Sequence, residues 1–224
     1  MVVAPSQVRL IRGNFEAKNG GTAFAEDLKS RQYDEEVIKM FNNLFTMLPM
    51  VGLIDGRILC VHGMISFDLN KKNLREGWRN GDPCREKTHL ELAWNDPSSQ
   101  VEDCERKPDR PDTYRLGPKD IKGGMEKLGV EFIIRGRQVM PNGVQRFADM
   151  PVATVFSSSG YSEDNLAAVL FVDPEKNAIT PIFLANDRIK SQEQLDKKLA
   201  EGWETDGYDH APVLRWFGQK KKKE

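Results

Sequence analysis

Long apolar runs, histidine, cysteine and charge of one sign are all scarce in this 224-residue chain. No stretch of 18 consecutive apolar residues occurs, which excludes a membrane-spanning helix of ordinary length. Residues 1–5 show no basic segment leading into an apolar one, so no secretory signal is expected. Lys and Arg total 33 against 34 Asp and Glu, a net charge of −1 that argues against a general nucleic-acid binder. Only Lys220–Lys223 break that balance, and four lysines are a weak nuclear-localisation signal beside the plainer reading of a solvated tail. The three cysteines, Cys60, Cys84 and Cys104, form no C-x-x-C pair and are odd in number, as expected of reduced thiols in an intracellular protein. The three histidines, His62, His89 and His210, are too few for a histidine-rich metal centre. The chain is 39% hydrophobic, and its length suits one domain.

The organisation reads as mixed α/β with a largely antiparallel second half. Val8–Ile11 is a short strand candidate running into the Gly13-Asn14 turn. Asn19-Gly20-Gly21 reads as a loop. In Asp34–Met47 the apolar residues Val37, Ile38, Phe41, Leu44 and Phe45 have helical spacing, Asp34 can cap the start and Pro49 ends it. Val51–Ile54 and Arg57–Val61 flank Asp55-Gly56, a two-residue hairpin turn. Residues 67–118 are polar and punctuated by proline and glycine, and read as a long loop-rich stretch. Pro118–Leu128 predicts a short helix. Glu131–Arg135, Val152–Ser157, Leu166–Asp173 and Ala178–Leu184 predict strands by their β-branched and aromatic content. Lys190–Glu201 predicts a polar helix.

Five segments in order carry a resemblance. They are Leu10-Ile11-Arg12-Gly13-Asn14-Phe15-Glu16, Ile58 to Ser66 (ILCVHGMIS), Ala93-Trp94-Asn95-Asp96-Pro97, Ile133 to Val139 (IIRGRQV) and Thr154 to Tyr161 (TVFSSSGY). They resemble the L-R-G-N-H-E, L-C-x-H-G-G-L-S, L-W-S-D-P, I-x-R-A-H-Q and T-x-F-S-A-P-N-Y segments of the PPP family of metal-dependent serine/threonine protein phosphatases. Leu48-Pro49 after the first long helix resembles that family's F-x-x-L-P. The resemblance covers roughly residues 8 to 185. It implies a metallophosphoesterase-type sandwich of two β-sheets with flanking helices. Residues 1–185 would hold its C-terminal two-thirds and residues 186–224 a polar helix and basic tail. The family's N-terminal part, with its G-D-x-H-G and G-D-x-x-D-R-G motifs, has no counterpart in the seven residues before Val8-Arg9-Leu10. That implies an exposed sheet edge, and with it low stability, a pairing partner or an incomplete gene product.

The resemblance also implies a chemistry. Members use two divalent metals (Mn, Fe or Zn) to activate a water for in-line attack on phosphorus, a histidine to protonate the leaving alkoxide, and arginines to hold the phosphoryl oxygens. Asn14 and His62 match two metal ligands. Phe15 stands where the general-acid histidine belongs, and a phenyl ring cannot transfer a proton, a loss typically of roughly 10²–10⁴-fold in rate. Arg137 stands where another histidine ligand belongs, and a guanidinium has no lone pair for a metal. Arg110 matches a phosphate-binding arginine, Tyr161 a tyrosine lining the site, and Asp96 an aspartate near the groove. No cofactor is therefore expected for this chain.

Read as residues alone, Gly13-Asn14 is a turn, His62 a core or edge histidine and Phe15 a filler of a vacated pocket. Arg135 and Arg137, alternating on a strand, would be solvent-facing charges. Trp94, Trp203 and Trp216 read as packing residues and Cys60 as a buried thiol. Three functional expectations follow. The first is a divergent, inactive phosphatase homologue (a pseudophosphatase). The second is a phosphopeptide- or protein-binding module using Arg110 and Arg137, with Arg12 a candidate third member of the cluster. The third is a fragment of an active phosphatase. A phosphoprotein or regulatory protein is the expected partner, with no nucleic acid and no membrane, in the cytoplasm or nucleus.

Overall fold

The computed structural model describes residues 6–16, 22–75, 85–147, 150–162, 165–184, 208–209 and 214–215. The expected helix at Lys190–Glu201, the lysine tail, Cys84, His210, Trp203, Trp216 and the loop at Asn19 lie outside the described residues. In chain order the elements begin with helices α1 (Thr22–Ser30) and α2 (Glu35–Met47) and the hairpin β1 (Val51–Ile54) and β2 (Ile58–Val61). Next come α3 (Lys71–Arg75), α4 (Arg85–Trp94), β3 (Asp96–Pro97), β4 (Cys104–Lys107) and β5 (Arg110–Leu116). Then follow α5 (Pro118–Leu128), β6 (Phe132–Arg135), β7 (Val144–Phe147), β8 (Val152–Val155), β9 (Ala167–Asp173) and β10 (Ala178–Leu184). Two short strands, β11 (Tyr208–Asp209) and β12 (Leu214–Arg215), complete the set.

Six strands form one sheet in the order β1-β2-β6-β8-β7-β11. Its centre, β2-β6-β8, is parallel, and its outer pairings are antiparallel. β12-β10-β9 form a second, antiparallel sheet. The central strands are buried on both faces, so they read as continuous apolar runs rather than as alternation. The alternation persists in what each side chain meets. Leu59, Val61, Ile133 and Val152 join Leu92, Ala93, Ile121, Met125 and Leu128 of α4 and α5 on one face. Ile58, Phe132, Ile134 and Ala153 meet Ala168 and Ile179 of the second sheet on the other. The result is the expected sandwich with flanking helices.

Local chemistry explains the helix ends. The Asp34 carboxylate accepts from the Val37 N–H at 3.0 Å and caps α2. Pro118 occupies the first turn of α5, and Gly129 closes it in the left-handed conformation (φ 68°) with its N–H on the Met125 and Glu126 carbonyls.

Three expectations are corrected. Val8–Ile11 forms no strand: the Arg12 N–H just after it donates to the Pro49 carbonyl (2.8 Å), and Val8 and Leu10 are exposed. The β1–β2 register pairs Ile54 with Ile58, so the turn holds three residues, Asp55–Arg57, with Asp55 and Gly56 both at positive φ. The stretch 67–118 is not a loop, since it carries α3, α4 and β3–β5. It looked loop-like because it is anchored by polar groups. Fully buried Glu91 accepts from the Ser66 hydroxyl (2.6 Å) and the Phe67 N–H (3.2 Å). Asn95 donates to the Ile65 carbonyl and accepts from the Tyr114 N–H. Buried polar groups with long-range partners take the place of the apolar stripe that periodicity would detect.

Candidate functional site

Asn14, His62, Asp96, Arg110 and Arg137, singled out from the sequence, lie where the parallel strands end, whereas Phe15 and Tyr161 are exposed. His62 follows β2 directly, and Arg135 closes β6, with Gly136 and Arg137 next. Asp96 opens β3 after α4 ends at Trp94, Lys107 ends β4, and Arg110 begins β5. A close approach of backbones holds α4 against the loop after β2. The Gly63 N–H donates to the Leu92 carbonyl at 2.8 Å, and a Cβ on Gly63 would lie 2.7 Å from the Ala93 carbonyl carbon.

Asn14 is buried, and its Oδ1 lies 2.6 Å from His62 Nε2. With Asn14 Oδ1 as the acceptor, His62 Nε2 carries the hydrogen of this contact. Burial, reinforced by the charges of Arg135 and Arg137 and opposed by Asp96, pushes the His62 pKa down to about 4. Around it stands a cluster of cations on one carboxylate. Arg135 donates to Asp96 Oδ1 at 2.8 Å, and Arg137 forms an ion pair with Oδ2 at 3.1 Å. Lys107 joins the same Oδ2 and also donates to the Trp94 carbonyl (2.5 Å). Arg135 further donates to the Gly63 carbonyl at 2.5 Å and to Gln138. Burial lowers the pKa of Lys107 and of Arg137, with Asp96 opposing in both cases. The guanidinium of Arg110 lies 3.5 Å from the centroid of the Trp94 ring, and that of Arg137 lies 5.0 Å from it. Arg12 is buried nearby in sequence, with its Nε donating to the Glu16 carbonyl at 2.7 Å.

Two bland readings are overturned. Phe15 fills no pocket: it is 50% exposed. Arg135 and Arg137 do not face solvent, with side chains 0% and 18% exposed. They converge although Arg137 lies beyond the strand in the left-handed region (φ 67°), which is uncommon for a non-glycine residue. Tyr161 is 68% exposed and packs edge-on against Phe156 at 5.5 Å. Sequence reasoning missed Lys107, which gave no signal inside a stretch read as loop. It also took Trp94 for packing, although Trp94 is two residues from Asp96 in a recognised segment.

The donor set can be tested against two divalent metals. Asn14 and His62 offer two donors, bonded to each other. The carboxylate that acts on His62, Asp96, gives both oxygens to three cations. Among the described residues no group of three or more His, Cys, Asp or Glu gathers. The positive charges of Arg135 and Arg137 repel a cation. The described residues do not fit a dinuclear metal site.

Comparisons with known proteins place these features in context. Residues 2–136 match the family model described as calcineurin-like phosphoesterase. A serine/threonine-protein phosphatase of Caenorhabditis elegans is 32% identical over 175 residues, covering 74% of this chain and 37% of that protein. The serine/threonine-protein phosphatase PP1-delta of the same organism is 31% identical over 174 residues, covering 75% of this chain and 57% of its own length. The chain thus spans well under two thirds of either relative. The structure of a Saccharomyces cerevisiae protein serine/threonine phosphatase with similarity to human phosphatase PP5 superposes with a TM-score of 0.69 at 22% identity. That match covers 86% of this chain and 64% of the yeast chain, a likeness of fold. Among the described residues no helix is long and apolar enough to cross a membrane.

Proposed function

The chain belongs to the calcineurin-like phosphoesterase family, with serine/threonine phosphatases of the PPP family as its relatives, and we propose that it is a hydrolytically silent member. The family uses divalent metals. The observation that carries the reading is Arg137: a permanent cation, ion-paired with Asp96, stands at a position the family resemblance gives to a metal-ligating histidine. Phe15 supports it, since an exposed phenyl ring at the general-acid position leaves the departing alkoxide without a proton donor there.

The test is hydrolysis of a phosphoserine peptide by the purified chain with added Mn. Release of phosphate should stay at the buffer background. Turnover that disappears in Asn14→Ala or His62→Ala would overturn the reading and favour an active phosphatase. A second reading, a phosphopeptide- or protein-binding module, is favoured by one observation: Arg110 and Arg137 both approach the Trp94 ring, so the two arginines share one locale. It predicts salt-sensitive preference for a phosphorylated partner. A cytoplasmic or nuclear setting accords with the reduced thiols and belongs to the same proposal.

A further inference from the structure

We propose that this site is a metal-independent seat for a phosphate-class oxyanion, in which Arg137 supplies the positive charge that metals supply elsewhere in the family. The inference rests on the silent-member reading and adds the chemistry of the ligand and the source of the charge.

Charge balance argues first. Lys107, Arg135 and Arg137 share the carboxylate of Asp96, and Asp109 also acts on Arg137, so the cations of this locale, Arg110 included, outnumber its carboxylates by two. The side chains of Lys107, Arg135 and Arg137 are 6%, 0% and 18% exposed, so water screens that excess poorly. Cations held together in a poorly solvated cluster favour an anion as their counterpart.

Hydrogen bonding argues next. The Arg137 Nε and Trp94 Nε1 atoms are buried and have no acceptor among the described residues. Both are N–H donors, and a buried donor without an acceptor is costly. A ligand that completes this site must bring oxygen lone pairs and negative charge. A metal ion brings neither, and a neutral ligand leaves the charge in place. The planar guanidinium fork of arginine suits phosphate oxygens. Arg137 is also held in a left-handed backbone conformation, a strain that structures keep where a side chain must be aimed.

The experiment titrates the full chain in EDTA by calorimetry, with inorganic phosphate, with a phosphoserine peptide and with its unphosphorylated twin. The phosphopeptide should bind at least tenfold tighter than the twin, with an affinity unchanged when EDTA is replaced by Mn. Inorganic phosphate binding as tightly as the phosphopeptide also supports the seat, and names the free ion as its ligand. Arg137→Gln should weaken binding at least tenfold, and Arg31→Gln, at an exposed turn after α1, should leave it within twofold. The wild-type titration in EDTA decides the question even if an Arg137 variant does not fold. No binding of either phosphate form, or binding that needs Mn, overturns the seat. Phosphate release measured in the same Mn samples separates the two ideas: turnover overturns the silent-member reading, whereas silence without binding overturns only the seat.

Discussion

Replacing Asp96 by asparagine removes one negative charge and almost no volume. Three cations lose their shared counter-ion: Arg135, fully buried, Lys107, nearly so, and Arg137, mostly so. Breaking a buried ion pair by deleting one partner costs about 3–5 kcal/mol, because the surviving charge stays desolvated and unpaired. Here one carboxylate serves three partners, so the loss should lie at the upper end of that range. A domain has only about 5–15 kcal/mol of stability in total. The assay is urea unfolding followed by tryptophan fluorescence. With a urea slope of about 2.5 kcal/mol/M, the midpoint of Asp96→Asn should fall by about 1.5–2 M. Saturating phosphate should restore part of that loss, since an anion bound to the folded state alone stabilises it by mass action. A loss below about 1 kcal/mol would refute the reasoning: the cluster would then be solvated as a surface network is, whatever its accessible area.

Other outcomes follow from single residues. Gly63→Ala should destabilise by about 1–3 kcal/mol in thermal unfolding, since the new Cβ meets the backbone of Ala93, Leu92 and Trp94 at 2.7–2.8 Å and backbone cannot step aside. The folded His62 pKa, at about 4, lies below the unfolded value of about 6.5, so its contribution is complete above pH 6.5 and is lost as pH falls toward 4. That contribution amounts to at most about 3 kcal/mol, and His62→Gln should flatten the pH–stability curve in that window. Restoring the proton donor alone should not restore catalysis: Phe15→His should release no phosphate above background in the peptide assay. Cys60, half-buried and with its thiol pushed by burial up to about 11, should be alkylated far more slowly at pH 8 than exposed Cys104 in site-resolved mass spectrometry.

Much of the architecture was legible because its signals are local. Pro118, the Ile121–Met125–Leu128 spacing and Gly129 define α5 by chemistry that acts within a few residues. The β6, β8, β9 and β10 strands are mostly apolar and rich in β-branched and aromatic residues. α4 and the β4–β5 hairpin were not legible. Their stability comes from long-range polar partners such as Ser66 with Glu91 and Ile65 with Asn95, which leave no periodicity. The site shows the same division. Asn14, His62, Asp96, Arg110 and Arg137 could be picked out one by one from the resembling segments. That Arg135, Arg137 and Lys107 would meet on one carboxylate depended on how β3, β4 and β6 end relative to one another. Phe15 was misjudged because a phenylalanine is usually buried, and only the structure shows its ring half in solvent.

The central claim is that the cation-filled site holds no divalent metal pair. Its most direct test is the metal-to-protein ratio of the purified chain, equilibrated with Mn and Zn, desalted and analysed by elemental mass spectrometry. The account predicts a ratio far below one, the same in wild type and His62→Ala. Two metals per chain that are lost on His62→Ala would contradict it.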